Sequence, residues 1–173
     1  MTENELQAAF AAIRGGDGDA FARMYNDIKQ PVFTIAWRIL KHRETAEDIT
    51  QDVFLKLYTA PPDASVKNLR AWIFRMARNL AIDALRTTHI TESDAMPESA
   101  AESDTEHLDR KLDLEAAIAC LPQVEREIVT LHLNADLPFR EVARVVGLSQ
   151  PAVYRRYRQA LQTLRERLNG GYV

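Results

Sequence analysis

LPFREVARVVGLSQPAVYRRYRQALQTLRERL, residues 137–168, is the stretch on which the fold turns. Over Phe139–Val146 it places Val142, Val145 and Val146 on one side of a short helix at helical spacing. Gly147 follows, a residue that tolerates positive φ, and Ser149 can cap a second helix with Pro151 near its first turn. Along that second helix Val153, Tyr157, Ala160, Leu161, Leu164 and Leu168 recur at spacings that turn them inward. Tyr154, Arg155, Arg158 and Gln159 remain on the outer face. Two short helices, a tight turn and a basic outer face make a helix-turn-helix, whose second helix enters the DNA major groove by its N-terminal residues.

Working outward, the charge balance is opposed to that reading until it is divided. The 173 residues carry a net charge of −3. Six acids (Glu92, Asp94, Glu98, Glu102, Asp104 and Glu106) lie within residues 87–108, a segment with no Lys or Arg. Without them the other 19 acids face 22 basic residues, a net of +3. Residues 137–168 hold seven arginines against Glu141 and Glu166, and residues 67–86 hold five basic residues against Asp83. Salt screens charges beyond ~8–10 Å, so local basic patches govern attraction to phosphate and the acidic total is an effect of one segment.

The segment 87–108 is polar and rich in Ser, Ala, Thr and Glu, without apolar periodicity, and reads as a flexible acidic linker. Its span is at most ~70 Å when extended at ~3.3 Å per residue, enough for the flanking blocks to sit far apart on a common partner. The block before it, residues 1–86, reads as four helices. The first covers about Glu3–Arg14, with Thr2 and Glu5 as a capping box, and ends at Gly15-Gly16. The second runs from near Ala20 to Leu40, kinked or divided at Pro31. The third spans about Glu44–Thr59 and stops at Pro61-Pro62, and the fourth spans Leu69–Arg86 behind Asn68 as N-cap. The block after the linker, 109–173, adds helices over Arg110–Ala119 and from Pro122 to about Leu133 before the helix-turn-helix. Strand signals are scarce, so the expected class is all-α: two small helical domains joined by the linker.

Two of these helices carry unusual faces. In the third, Ile49, Val53, Phe54 and Leu57 form a core stripe while Glu47, Asp48, Gln51 and Asp52 gather elsewhere. Asp48, Gln51 and Asp52, at i, i+3 and i+4, form either a solvated flank or a set of acceptors suited to arginines on a facing helix. In the fourth, Trp72, Ile73, Met76, Leu80, Ile82 and Leu85 pack, and Arg70, Arg75, Arg78, Asn79 and Arg86 lie nearer the surface. Such a face suits phosphates and unstacked single-stranded bases, although a packing tryptophan with solubilising arginines accounts for the same pattern. Asp83 has Arg78, Asn79 and Arg86 as potential partners.

Enzyme chemistry finds no support: there is no Gly-rich phosphate loop, no zinc-spaced Cys/His set and no nucleophile–base pair, and His42, His89, His107 and His132 are scattered. Cys120, in an apolar AIACLP run, reads as a small buried hydrophobe, and as the one cysteine it excludes an internal disulfide and fits a reducing, cytoplasmic setting. No apolar run approaches the ~20 residues that cross a bilayer, and MTENELQAAF lacks a signal-peptide core.

Three segments in this order carry a resemblance. AEDITQDVFLKLY, LRAWIFRMARNLAIDALR and LPQVEREIVTLHLNADLPFREVARVVGLSQPAVYRRYRQALQTLRERL resemble the bacterial extracytoplasmic-function sigma factors, two-domain promoter-specificity subunits of RNA polymerase. The resemblance extends over about residues 17–168. It implies that Asp48, Gln51 and Asp52, with Phe54, meet the β′ clamp of core polymerase. It implies that the Tyr58–Lys67 loop captures a flipped −10 base, and that Lys67, Asn68, Arg70, Arg75, Arg78 and Asn79 contact the −10 strand. Pro151, Ala152, Tyr154, Arg155, Arg158 and Gln159 would face the −35 major groove, with Arg156 on a phosphate. The implied partners are core polymerase through its β′ and β subunits, promoter DNA and an anti-sigma factor. No cofactor, metal, small-molecule substrate or membrane insertion is implied. The linker would thread the polymerase channels, where its acids could mimic nucleic-acid charge.

Two departures stand out. TAPPDASVKN lacks the aromatic often found in that loop and is similar to the shorter, proline-containing loops of iron-starvation-type members. SQPAVYRR replaces the Gly-Thr-Val-Lys/Arg-Ser pattern of many members, so Pro151 and Tyr154 point to a different −35 sequence. The rival classes are a one-component helix-turn-helix regulator, which would usually dimerise on symmetric half-sites, and a sigma-like mimic that acts only on proteins.

Overall fold

The computed structural model of the chain describes residues 1–91 and 113–169. Among these residues it is all-helical: α1 Glu3–Arg14, α2 Gly18–Leu40, α3 Arg43–Thr59, α4 Leu69–Thr91, α5 over 113–119, α6 Gln123–Leu133, α7 Phe139–Val146 and α8 Gln150–Asn169. Local chemistry sets most boundaries. Glu5 N–H donates to Thr2 Oγ1 at 3.3 Å and Thr2 N–H to Glu5 Oε2 at 2.6 Å, completing the capping box of α1. Asp17 Oδ1 accepts from Ala20 N–H at the start of α2, two residues earlier than expected. Lys41 ends α2 in the left-handed region at φ 55°, and the His42 ring caps α3 by accepting from Thr45 N–H. Gly147, at φ 73°, turns α7 into α8, where Ser149 Oγ accepts from Ala152 N–H.

Pro31 does not divide α2, which continues for 23 residues. The missing backbone donor and ring clash cost about 3 kcal/mol in a helix interior. Ile28, Val32, Ile35, Ala36 and Ile39, buried along the inner face, outweigh this at about 1.5–3 kcal/mol for each large apolar side chain. α4 likewise passes the expected end at Arg86 and carries 87–91 as helix. The rest of the expected linker, 92–108, lies outside the described residues, as does the expected start of α5 near Arg110.

The two blocks are packed together, α2 against α6 and α4 against α7, and one apolar core runs through both. This second layer explains where the inward faces differ from a one-sided reading. Phe74, Ala77 and Ala81 of α4 are fully buried in addition to Ile73, because α4 is covered from two directions. In α8 the buried line is Val153, Ala160 and Leu164 with half-buried Tyr157, whereas Leu161 and Leu168, expected inward, are exposed. Cys120 is also exposed: it sits in the turn after α5, and Ala117, Ile118 and Leu121 fill the small core there.

Polar contacts cross the same junction. Arg38 of α2 is buried, with Nη1 donating to Thr130 Oγ1 and Asn134 Oδ1 at 2.9 Å each and Nη2 to Glu115 Oε1 at 2.7 Å. Arg126 of α6 answers by donating to Arg38 O at 2.9 Å, and also to the carbonyls of Ala119 and Leu121. Burial pushes the Arg126 guanidinium below its ordinary pKa, Glu127 pulls it back and Arg38 lowers it further. Arg78 Nε of α4 donates to Glu127 Oε2 at 2.6 Å, and Gln123 Nε2 completes that carboxylate at 3.0 Å.

Candidate nucleic-acid interface and docking face

The face of α3 is built by helical spacing. Asp48, Gln51 and Asp52 are exposed and clustered at i, i+3 and i+4. Leu55, 60% exposed, continues the same face one turn on, and Tyr58, equally exposed, lies edge-on to Phe21 at 5.1 Å. The face therefore combines carboxylate and amide acceptors with an exposed leucine and tyrosine. The sequence reading missed Leu55, whose signal was its place at i+7 from Asp48. Phe54, placed with the docking residues, is buried against Tyr25 and Phe21 at centroid distances of 4.6 and 6.4 Å. It orients α3 and does not itself reach the surface.

The residues assigned to the −10 strand separate into two groups. Lys67, Asn68, Trp72 and Arg75 of the loop and α4 line an open groove whose other wall is Glu141, Arg144 and Val145 of α7. Asn68 Oδ1 also caps α4 by accepting from Ala71 N–H at 2.8 Å. Asn79 is exposed further along α4. Arg70 and Arg78 are instead taken up inside the protein. Arg70 Nε donates to Ala135 O at 2.7 Å and its Nη1 to Met1 O at 3.0 Å, with Asp27 at 3.7 Å. Arg78 is held by Glu127, whose carboxylate is only 2% exposed. Asp83 is 3.7 Å from Arg86. In the loop, Ser65 N–H donates to Asp63 Oδ1 at 2.8 Å; hydrogen bonds from the Ser65 backbone and then its side chain hold the Asp63 carboxyl below the usual carboxylate range.

On α8, Pro151, Tyr154, Arg155, Arg158 and Gln159 are exposed together and Ala152 is half-buried, a continuous outward patch on the first three turns. Tyr154 stands edge-on to Phe139 at 5.6 Å, within an aromatic cluster that includes His132 stacked on Phe139 at 4.2 Å and Tyr157. Its half-exposed ring therefore rests by one edge against α7. Arg156 differs from its neighbours: its Nη1 donates to Glu125 Oε1 at 2.5 Å, tying α8 to α6. Glu141, buried in α7, accepts from Arg144 at 2.8 and 3.1 Å and from Arg140 at 3.2 Å, holding both arginines beside the turn. Arg140, Arg144, Arg155 and Arg158 are all exposed, so α7 and α8 both present basic side chains.

Comparison with known proteins fits this arrangement. Residues 24–89 match the family Sigma-70 region 2, and residues 111–164 match Sigma-70, region 4, together covering more than two thirds of the chain. The chain is 24% identical to the ECF RNA polymerase sigma factor SigW of Bacillus subtilis, spanning 96% of this chain and 98% of SigW. It is 25% identical to the ECF RNA polymerase sigma factor SigK of Mycobacterium tuberculosis, spanning 96% and 95%. Two solved structures share the fold. CnrH, in complex with the cytosolic domain of CnrY, superposes with a TM-score of 0.68 at 22% identity over 95% of this chain and 97% of that one. The sigma factor RpoE, in complex with the anti-sigma factor NepR from Bartonella quintana, gives 0.72 at 21% identity over 86% and 96%. With a region 2 bundle and a region 4 helix-turn-helix in one chain, and full-length similarity to ECF factors, the chain belongs to the sigma-70 family.

Proposed function

We propose that the protein is a promoter-specificity subunit that joins core RNA polymerase and directs initiation from promoters with −35 and −10 elements, acting without an active site of its own. The observation that carries this reading is the pairing, in one chain, of an acceptor-rich docking face on α3 with a braced basic recognition helix on α8. Residues 1–86 form the unit for core binding and the −10 strand, and 109–173 the unit for the −35 duplex. Asp48, Gln51 and Asp52, with Leu55 between them and Tyr58, present the surface for the β′ clamp; Phe54 supports it from below. Lys67, Asn68, Arg75 and Asn79 approach the −10 strand. Pro151, Ala152, Tyr154, Arg155, Arg158 and Gln159 read the −35 groove, and Arg156 sets the pitch of that helix through Glu125.

Arg70 and Arg78 belong to the −10 set only when they exchange their internal partners for phosphates. Their contacts to Ala135 and Glu127 lie across the junction of the two blocks, so engaging DNA through them requires that junction to loosen. An anti-sigma factor, the kind of partner seen with RpoE, would act by covering the α3 or α8 faces. The iron-starvation-type reading rests on the short, proline-containing loop TAPPDASVKN and is not supported by the relatives, SigW and SigK. Run-off transcription with purified core and a promoter library randomised at both elements tests the function directly. The expected result is a discrete start site and an enriched sequence at each element; transcripts no more frequent than with core alone would overturn it.

A further inference from the structure

Helix α1 lies before the matched region 2 segment, and nothing in the function derived so far uses it. Three of its polar side chains reach the loop between α3 and α4 and the first turn of α4. Arg14 Nη1 donates to Pro62 O at 2.9 Å and Gln7 Nε2 to Val66 O at 3.4 Å. Glu3 reaches the far end, where its carboxylate accepts from Leu69 N–H at 2.6 Å and from Arg70 N–H at 3.3 Å. The first-turn donors of α4 are therefore satisfied by a carboxylate 66 residues away in sequence, alongside the local cap from Asn68. Three attachments pin the loop at its start, its end and the helix that follows. The cavity left between α1 and the loop is about 30 Å³, room for a water or two and none for a base.

We propose that α1 is a brace that sets the shape of the 60–68 loop and through it the base preference at the −10 element, with Glu3 and Arg14 as positioning residues. The proposal rests on the reading of this loop as the −10 reader. A loop without an aromatic to stack on a flipped base must discriminate by backbone and small polar groups held in place. Asp63, Ala64, Ser65 and Lys67 are exposed; Asp63 and Ala64 border the cavity lined by Gln7, Phe10 and Arg14, whereas Ser65 and Lys67 lie outside it, so the brace holds one edge of the loop and leaves Ser65 and Lys67 for DNA. Such recognition loses selectivity when its support shifts, even though the touching residues are unchanged.

The test uses holoenzyme assembled from core polymerase and the full chain, with a promoter library randomised at the −10 element. One arm alters the exposed loop directly, by Lys67→Ala and Ser65→Ala. The other alters the brace, by Glu3→Gln and Arg14→Ala, with Arg14→Lys as the conservative counterpart. Both arms are expected to flatten or shift the −10 base preference, with about fivefold or greater loss of discrimination at one position. Core affinity and −35 preference should stay at the wild-type level, and Arg14→Lys should recover most of the lost selectivity. Because Arg14 is itself exposed, its variants keep the test open even where Glu3→Gln lowers stability. A changed preference in the loop variants beside an unchanged one in Glu3→Gln and Arg14→Ala overturns the brace alone. An unchanged preference in the loop variants overturns the loop assignment, and the brace with it.

Discussion

Arg155, Arg156 and Arg158 stand within one turn of α8, yet only two of them are available to DNA. Arg156 is committed to Glu125, whose carboxylate is nearly buried, while Arg155 and Arg158 point away from the bundle. Arg155→Ala or Arg158→Ala should therefore weaken −35 recognition by about 1–3 kcal/mol if the lost contact is a bidentate base pair, as read by footprinting and by titration on −35 variants. An intact −35 footprint in both variants would count against the assignment. Arg78 poses the opposite case, a predicted surface residue drawn inward. Its partner Glu127 would be left as a poorly exposed carboxylate in Arg78→Ala, so that variant should lose about 3 kcal/mol of stability in urea denaturation. Adding Glu127→Gln should restore part of the loss, and strictly additive effects in the double-mutant cycle would show the pair to be uncoupled.

At the level of elements, α3 presents a face whose chemistry is separable from its packing. Ala46, Ile49, Val53, Phe54 and Leu57 hold it in the core, so Asp48→Arg with Asp52→Arg should leave the circular dichroism spectrum and melting midpoint close to wild type. The same pair should abolish co-purification with core polymerase, and retained binding would remove α3 from the docking surface. Which elements exist was readable because their ends are written in local chemistry: the Thr2–Glu5 box, Asn68 before α4, and Gly147 where a positive φ is needed. Which faces they bury was less readable. The fully buried Phe74, Ala77 and Ala81 were passed over because α4 is packed against α1, α2 and α3 as well as α7, which its own periodicity does not show. Glu3 offered no signal either, since an acid in the first turn of α1 already complements that helix's own dipole. The exposure of Asp48, Gln51, Asp52, Tyr154, Arg155, Arg158 and Gln159 was legible because it follows single-helix periodicity, whereas the fate of Arg70, Arg78 and Arg156 depended on contacts between helices.

For the whole molecule, the junction between blocks is the property no single helix predicts. Arg38 alone joins three acceptors from α6, its following residues and α5, and Arg126 returns a bond to the Arg38 carbonyl. Arg38→Ala should loosen the closed arrangement, leaving each block folded. Small-angle scattering should report a larger radius of gyration, and hydrogen exchange should rise along α6 and the N-terminal half of α4 without global unfolding. A scattering profile unchanged from wild type would mean that the apolar contacts alone keep the blocks closed.

The Arg38 junction bears on a practical matter: the grafting of regions between sigma factors to make new promoter specificities. A region 4 without acceptors placed as Thr130, Asn134 and Glu115 are, or a carboxylate placed as Glu127 is, would leave Arg38 and Arg78 without these partners. Such a chimera would change the recognition helix and loosen the seam between the blocks at the same time. A designer who wishes to change only the first must transplant the acceptors of α5 and α6 together with the reader of α8, treating the seam as part of the graft.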